Sequence, residues 1–289
     1  MSSSLSLGQC ATLACLLEVI TPKAGNVHRG ADFEDLTLKD FAVSAAVIGP
    51  AIESAASHGV GHAALAAIRA TQQSVGTNTN LGTVLLIVPL AAVPRELTLV
   101  DGIGQVLTSL TSQDSNQVYQ AIRLAQPGGM GQVDQMDVQQ SAPTNLLEAM
   151  QAAADRDMVA RQYVDGFQTV LNEVVPSLVE NVSHGFSIEY AIIHTQMQLL
   201  SRYPDSLITR KCGKHVAQQA AAMANAVIQA GSPGSPDYER AMADLDFWMR
   251  SDHHRRNPGT TADLIAAGLF AALREGQLAL PFRTRAQTQ

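Results

Sequence analysis

Cysteine is rare in this chain: Cys10, Cys15 and Cys212 are the three among 289 residues. An odd count without C-x-x-C spacing argues against a disulfide framework or a thiolate metal site. It predicts reduced, buried thiols with a structural role, as in a cytosolic protein. Long apolar runs are missing too. The longest covers residues 83–93 and contains Pro89, and it falls short of the roughly 20 residues a spanning helix needs. The apolar residues 13–17 have no basic flank and lead into Glu18, so they do not read as an export signal. A cytoplasmic protein without membrane contact is expected. Positive charge is in deficit, with 19 Lys and Arg against 26 Asp and Glu and a net charge of −7. That balance argues against non-specific binding to nucleic acid or a membrane surface, although a few cations in one cleft would still hold a phosphate.

Several spacing-defined catalytic motifs are also missing. There is no Walker loop and no G-x-G-x-x-G after a strand, so any use of ATP does not run through a P-loop or Rossmann site. No G-x-S-x-G elbow supports acyl transfer. His58 and His62 have an i, i+4 spacing but lack the Glu of H-E-x-x-H, which makes a zinc hydrolase a poor reading. Strand-like alternation is nearly absent, as are internal repeats, heptad runs and linkers.

Helical periodicity fills the space these absences leave. Hydrophobic residues make up 46% of the chain and aromatics only 4%, so Ala, Leu and Val form the apolar positions and predict closely spaced helix axes. Three- and four-residue apolar spacing predicts helices over residues 41–57, 61–73, 117–125, 155–171, 188–201, 215–230, 238–249 and 261–273. Asn116 and Thr260 stand where N-caps belong, Pro204 and Pro258 fall outside helices, and residues 84–88 read as buried helix rather than strand. The expectation is an all-α protein: one multi-helix globular domain over residues 1–289, with a ligand cleft formed by interhelical loops.

The candidate site residues lie in those loops. Residues 21–35 gather Lys23, His28 and Arg29 beside Asp32, Glu34 and Asp35, with Pro22, Gly25 and Gly30 interrupting regular structure. A flexible segment of mixed charge suits an anionic, metal-bound ligand, because cations and backbone N–H groups meet phosphate while carboxylates take the metal; a solvated surface loop is the plain alternative. Asn78, Thr79, Asn80 and Gly82 offer uncharged donors and acceptors for a ribose or base edge, or helix caps. Gly128 and Gly129 follow Pro127 in a turn that a ligand can approach closely. Arg210 and Lys211, after Asp205, form a polyphosphate clamp or a basic helix end. Asp263 follows a Pro-Gly-Thr-Thr turn, where it would serve a metal or a helix dipole. His253, His254, Arg255 and Arg256 are a basic cluster that reads equally as a solvated helix end or a phosphate contact.

Taken in order, these segments resemble the triphosphoribosyl-dephospho-CoA synthase family over roughly residues 13–272. The residues carrying the resemblance are Thr21-Pro22-Lys23 with Gly25, Asp35, Asn78-Thr79 with Gly82, Pro127-Gly128-Gly129, Asp205 with Arg210 and Gly213, and Pro258-Gly259 with Ala262-Asp263-Leu264. The resemblance implies a transferase that moves the 5-triphosphoribosyl group of ATP to the ribose 2′-hydroxyl of 3′-dephospho-CoA and releases adenine, with Mg²⁺ as the accompanying metal. Small molecules are then the partners, and a homo-oligomer is open. On this reading Asp35 is the base or oxocarbenium stabiliser, helped by Lys23. Gly25, Asn26, Arg29, the residues at 78–80, Gly82, Gly128, Gly129, Arg210 and Lys211 bind substrate, and Asp205, Asp263 and Glu18 hold the metal. Lys23, Asn78, Gly128, Arg210 and Asp263 are expected to line one cleft.

The chain departs from the lyase-associated branch at two places: Ala24 stands where that branch has Pro, and Asn80-Leu81 where it has His-Lys. Leu81 removes a cation, and this bears on which acceptor is used. Another coenzyme precursor as acceptor, or a silent nucleotide-binding protein, are the alternatives. Three retained carboxylates weigh against the silent protein.

Overall fold

The computed structural model describes residues 5–128 and 136–282. Its elements are α1 Leu7–Ile20, α2 Leu38–Glu53, α3 Ala55–His58, α4 Val60–Val75, α5 Leu81–Ala92, α6 Leu99–Thr108, α7 Ser112–Ala125, α8 Leu146–Ala153, α9 Met158–Asp165, a π-helical turn Val170–Val174 running into α10 Val175–Ser183, α11 Ile188–Arg202, α12 Ser206–Cys212, α13 Lys214–Ala230, α14 Pro236–Arg250 and α15 Gly259–Arg274. No strand occurs among the described residues; one isolated bridge joins His28 and Ala31. The protein is all-α.

Two helices form the centre. In α5 every residue from Thr83 to Ala91 is buried, and in α15 every residue from Leu264 to Arg274. A helix that is apolar on all sides must be surrounded by others, and α5 packs on α4, α6, α9 and α15, while α15 also meets α1, α10 and α11. The Ala- and Gly-rich faces let axes approach closely. A Cβ on Gly8 of α1 would stand 2.6 Å from the carbonyl oxygen of Gly49 in α2. Around this main core, α11, α13 and α14 build a second apolar cluster from Met197, Leu200, Ala217, Ala224, Leu245 and Met249, and Ala24 of the α1–α2 connection is buried in it.

Several boundaries differ from the sequence expectation. Asn116 does not cap α7; Thr111 does, accepting the Asp114 N–H, while Asp114 accepts the Thr111 N–H at 2.9 Å. Asn116 lies one turn inside and donates to the Ser112 carbonyl. Likewise Thr260 is within α15, which starts after Pro258. The continuous helix expected over 155–171 breaks at Gly166 and Phe167, both left-handed. The short helices α6, α8, α10 and α12 were not anticipated. No helix is long and apolar enough to cross a membrane among the described residues.

Candidate active site

The first half of the segment after α1 is not a solvated loop, whereas Arg29, Gly30, Asp32, Glu34 and Asp35 in its second half are exposed. Thr21, Lys23, Ala24, Asn26 and Val27 are all buried, and side chains from distant helices satisfy their backbone groups. Gln196 of α11 accepts the Ala24 N–H through Oε1 at 3.1 Å and donates from Nε2 to the Ala24 carbonyl at 2.9 Å, pairing with the residue much as a neighbouring strand would. The left-handed Gly25 donates to Asp246 Oδ1 at 2.8 Å, and Arg250 Nη2 donates to the Asn26 carbonyl. A proline in place of Ala24 would lack the N–H that Gln196 receives, so the departure at this position has a structural correlate. Gln196 is buried mid-helix, and nothing in its local sequence signals this role.

Beyond this strap lies a cavity of about 670 Å³, walled by parts of α1, α5, α7, α8, α9, α12 and α15, within the size range of small-molecule sites. The central helices α5 and α15 both begin at it, which turns two positive dipole ends toward its contents. There Asp263, at the start of the second turn of α15, faces the first turn of α5. A Cβ on Gly82 would stand 2.1 Å from Asp263 Oδ2, so only glycine fits, and Thr83 donates its hydroxyl to Asp263 Oδ1 at 2.6 Å. Burial, reinforced by the negative charges of Glu18, Asp205 and Asp157 and opposed by the Thr83 bond, pushes the Asp263 carboxyl up to about 7. Glu18, at the end of α1, also reaches the cavity. It is held from behind by the fully buried ammonium of Lys23, 2.8 Å from Oε1. Lys23 itself does not line the cavity. Cys15 does, and burial, with Glu18 and Asp263 nearby, raises its thiol well above the ordinary range, so it stays protonated. Cys10 is buried and all three cysteines are free thiols.

Of the substrate-binding candidates, Asn26, the residues at 78–80, Gly82, Gly128, Arg210 and Lys211 line the cavity, whereas Gly25 and the exposed Arg29 do not. Gly129 lies outside the described residues. The Asn78 side-chain oxygen accepts the N–H groups of Asn80 and Leu81 at the start of α5. Thr79 bonds Ser44, and Asn80 donates to Thr71, so this trio shapes the helix start while bordering the cavity. Arg210 reaches Asp157 at 3.4 Å. Burial and repulsion by Arg210 push the Lys211 ammonium down. Asp35 lies at the cavity rim with a side chain 69% exposed, 3.1 Å from His254 Nε2; the His254 ring in turn stacks on Phe33 at 4.3 Å. The basic cluster is thus a brace for the rim, with Arg256 over Trp248 and Arg255 on the Lys211 carbonyl.

The three metal candidates do not gather. Asp205 is buried and not in the cavity wall. Its Oδ1 accepts the Leu207 and Ile208 N–H groups, and its Oδ2 accepts the Thr261 N–H and hydroxyl, both at 2.8 Å. With four donors in place it ties the start of α12 to the start of α15 and has no lone pair directed at a ligand. Burial raises its carboxyl against those bonds. No three His, Cys, Asp or Glu side chains cluster as a metal site among the described residues; this includes the stacked pair His58 and His62.

Residues 4–281 match the model of a family described as ATP:dephospho-CoA triphosphoribosyl transferase. The chain belongs to this family. A solved structure assigned as a triphosphoribosyl-dephospho-CoA synthase from Archaeoglobus fulgidus is similar, with 28% identity and a TM-score of 0.64 over 81% of this chain and 99% of that one. No curated protein matches. Membership makes the protein a transferase and gives the cavity a chemistry to be matched against. Two cavity residues that bear on it, Thr83 and Asp157, escaped the sequence reading. Thr83 looked like the opening of an apolar run, and Asp157 lay inside a helix expected to be continuous, whereas it caps α9.

Proposed function

We propose that the cavity is where ATP transfers its triphosphoribosyl group to the ribose 2′-hydroxyl of 3′-dephospho-CoA, and that the whole chain acts as one unit in doing so. The observation that carries this reading is Asp263, a carboxyl near 7 in a cavity that also holds Arg210 and Lys211. The bond from ribose C1′ to adenine N9 breaks while a bond from C1′ to the acceptor oxygen forms. The hydroxyl proton passes to the Asp263 carboxylate, which then gives it up to water, and adenine N9 takes one proton from water as it leaves, so Asp263 returns to its starting state and the protons balance. A base poised near neutral pH contributes on the order of 10²–10⁴-fold, and a carboxylate beside C1′ also stabilises the positive charge that develops there. Asp263 takes this role in preference to Asp35, because a mostly exposed carboxylate acts through water and is screened. Arg210 and Lys211 receive the triphosphate, and Lys23 is a positioning residue that fixes Glu18.

Mg²⁺ fits the donor set. It takes one or two carboxylates and completes its shell with water and phosphate oxygens. Glu18 and Asp157, both in the cavity wall and both acting electrostatically on Asp263, would hold it. When bound it would neutralise triphosphate charge. The test is adenine release from ATP, with and without dephospho-CoA, by wild type and Asp263→Asn across pH 5–9. Release that requires dephospho-CoA, with kcat/KM falling below about pH 7 in wild type as a base of that pKa is protonated, is expected. Near-wild-type release by Asp263→Asn would overturn the role of Asp263, and release indifferent to dephospho-CoA would overturn the transfer itself.

A further inference from the structure

The cavity wall changes character between helices. α1, α5, α12 and α15 contribute Glu18, Thr83, Arg210 and Asp263, whereas α7, α8 and α9 contribute Tyr119, Ile122, Leu146, Met150, Ala153 and Val159. On α8, Leu146 and Met150 are buried while Ala153 is half-buried and borders the cavity. The transfer chemistry has no use for such a surface, because phosphate and ribose are strongly hydrated and lose that hydration against apolar side chains without compensation. An adenine edge would need convergent donors and acceptors, and Leu146, Ala149, Met150 and Ala153 offer none.

Of the two reactants, only dephospho-CoA carries a long uncharged arm: a pantetheine chain with two amides and a terminal thiol. We propose that the surface formed by α7, α8 and α9 binds this pantetheine arm and so selects the acceptor. This rests on the transfer reading above. Arg156 and Asp157 mark the charged end of this wall at the α8–α9 turn, and the uncharged polar groups at its other end suit the arm's amides. Tyr119 donates its hydroxyl to the Met136 carbonyl at 3.0 Å, which leaves the oxygen able to accept, and the exposed Gln126 amide borders the cavity. The arm contributes binding energy far from the reacting atoms, which positions the 2′-hydroxyl at Asp263.

Steady-state adenine release with 4′-phosphopantetheine, the arm without its nucleotide, as inhibitor tests this. It should compete with dephospho-CoA and leave KM for ATP unchanged. Ala153→Trp, which fills the surface, should raise KM for dephospho-CoA at least tenfold, weaken the inhibitor by a similar factor and move KM for ATP less than twofold. Competition with ATP, no inhibition at millimolar concentration, or two KM values rising together would overturn the assignment. Should Ala153→Trp fail to fold, the wild-type inhibition pattern decides alone. Calorimetry of dephospho-CoA with wild type separates the two levels. Absence of binding removes the transfer reading, whereas binding that 4′-phosphopantetheine does not displace removes only the arm site.

Discussion

Replacing Asp263 by Asn should make the protein more stable and less active, and the stability gain should depend on pH. The Asp263 carboxyl moves from its ordinary 3.8 to about 7 in the fold. At about 1.4 kcal/mol per pH unit, the full rise corresponds to roughly 4 kcal/mol by which the ionised form opposes folding. Water reaches the half-buried side chain, so a realistic figure is about 1–3 kcal/mol. The sign follows from proton counting. Between about pH 4 and 7 the folded protein keeps a proton that the unfolded chain has lost, so wild-type stability falls as pH rises through this window and levels off above it. The asparagine side chain of the variant carries no charge at any pH and still accepts the Thr83 hydroxyl. Urea unfolding at pH 5, 6.5 and 8 should therefore show Asp263→Asn ahead of wild type by about 1–3 kcal/mol at pH 8, with the gap shrinking toward pH 5. A gap that does not vary with pH, or a variant less stable at pH 8, would mean that the carboxylate is already compensated by the protein. Its pKa would then be ordinary and the reasoning that makes it the base would fail.

Three further outcomes are expected. Gly82→Ala adds a Cβ 2.1 Å from Asp263 Oδ2, so adenine release should drop at least tenfold, while thermal unfolding moves little because alanine favours the helix by about 1 kcal/mol. Lys23→Met leaves Glu18 without its buried partner and should cost about 3–5 kcal/mol in urea unfolding; an unchanged midpoint would show that water already solvates Glu18. Asp205→Ala removes the acceptor of four hydrogen bonds and should cost at least about 2 kcal/mol, while the Mg²⁺ concentration giving half-maximal adenine release stays as in wild type; a shift in that concentration would return Asp205 to the metal.

How much was legible in the sequence depended on whether a feature is local. The bounds of α11 and α13 followed from apolar periodicity to within a residue, because each helix buries one continuous face. Apolar spacing begins only at residue 117, five residues into α7, because its first turn is polar and held by the reciprocal cap of Thr111 and Asp114. The break at Phe167 was missed since a left-handed aromatic residue has no local signal. The same division runs through the site. That Asp263, Gly82, Arg210 and Gly128 belong to one family pattern was readable from their order along the chain. Whether each charge meets ligand or protein was not. Lys23 and Asp205, both expected to touch substrate or metal, are satisfied by Glu18 and by Thr261 with two N–H groups of α12. Asp35, expected to be the base, lies exposed at the rim. By itself the sequence determined an all-α protein and the inventory of carboxylates and cations from which a phosphoribosyl-type transferase is made. Only the tertiary structure decided which carboxylate is buried beside another and which already has its donors, because burial and partnership are set by residues far away along the chain, as between Thr83 and Asp263, 180 residues apart.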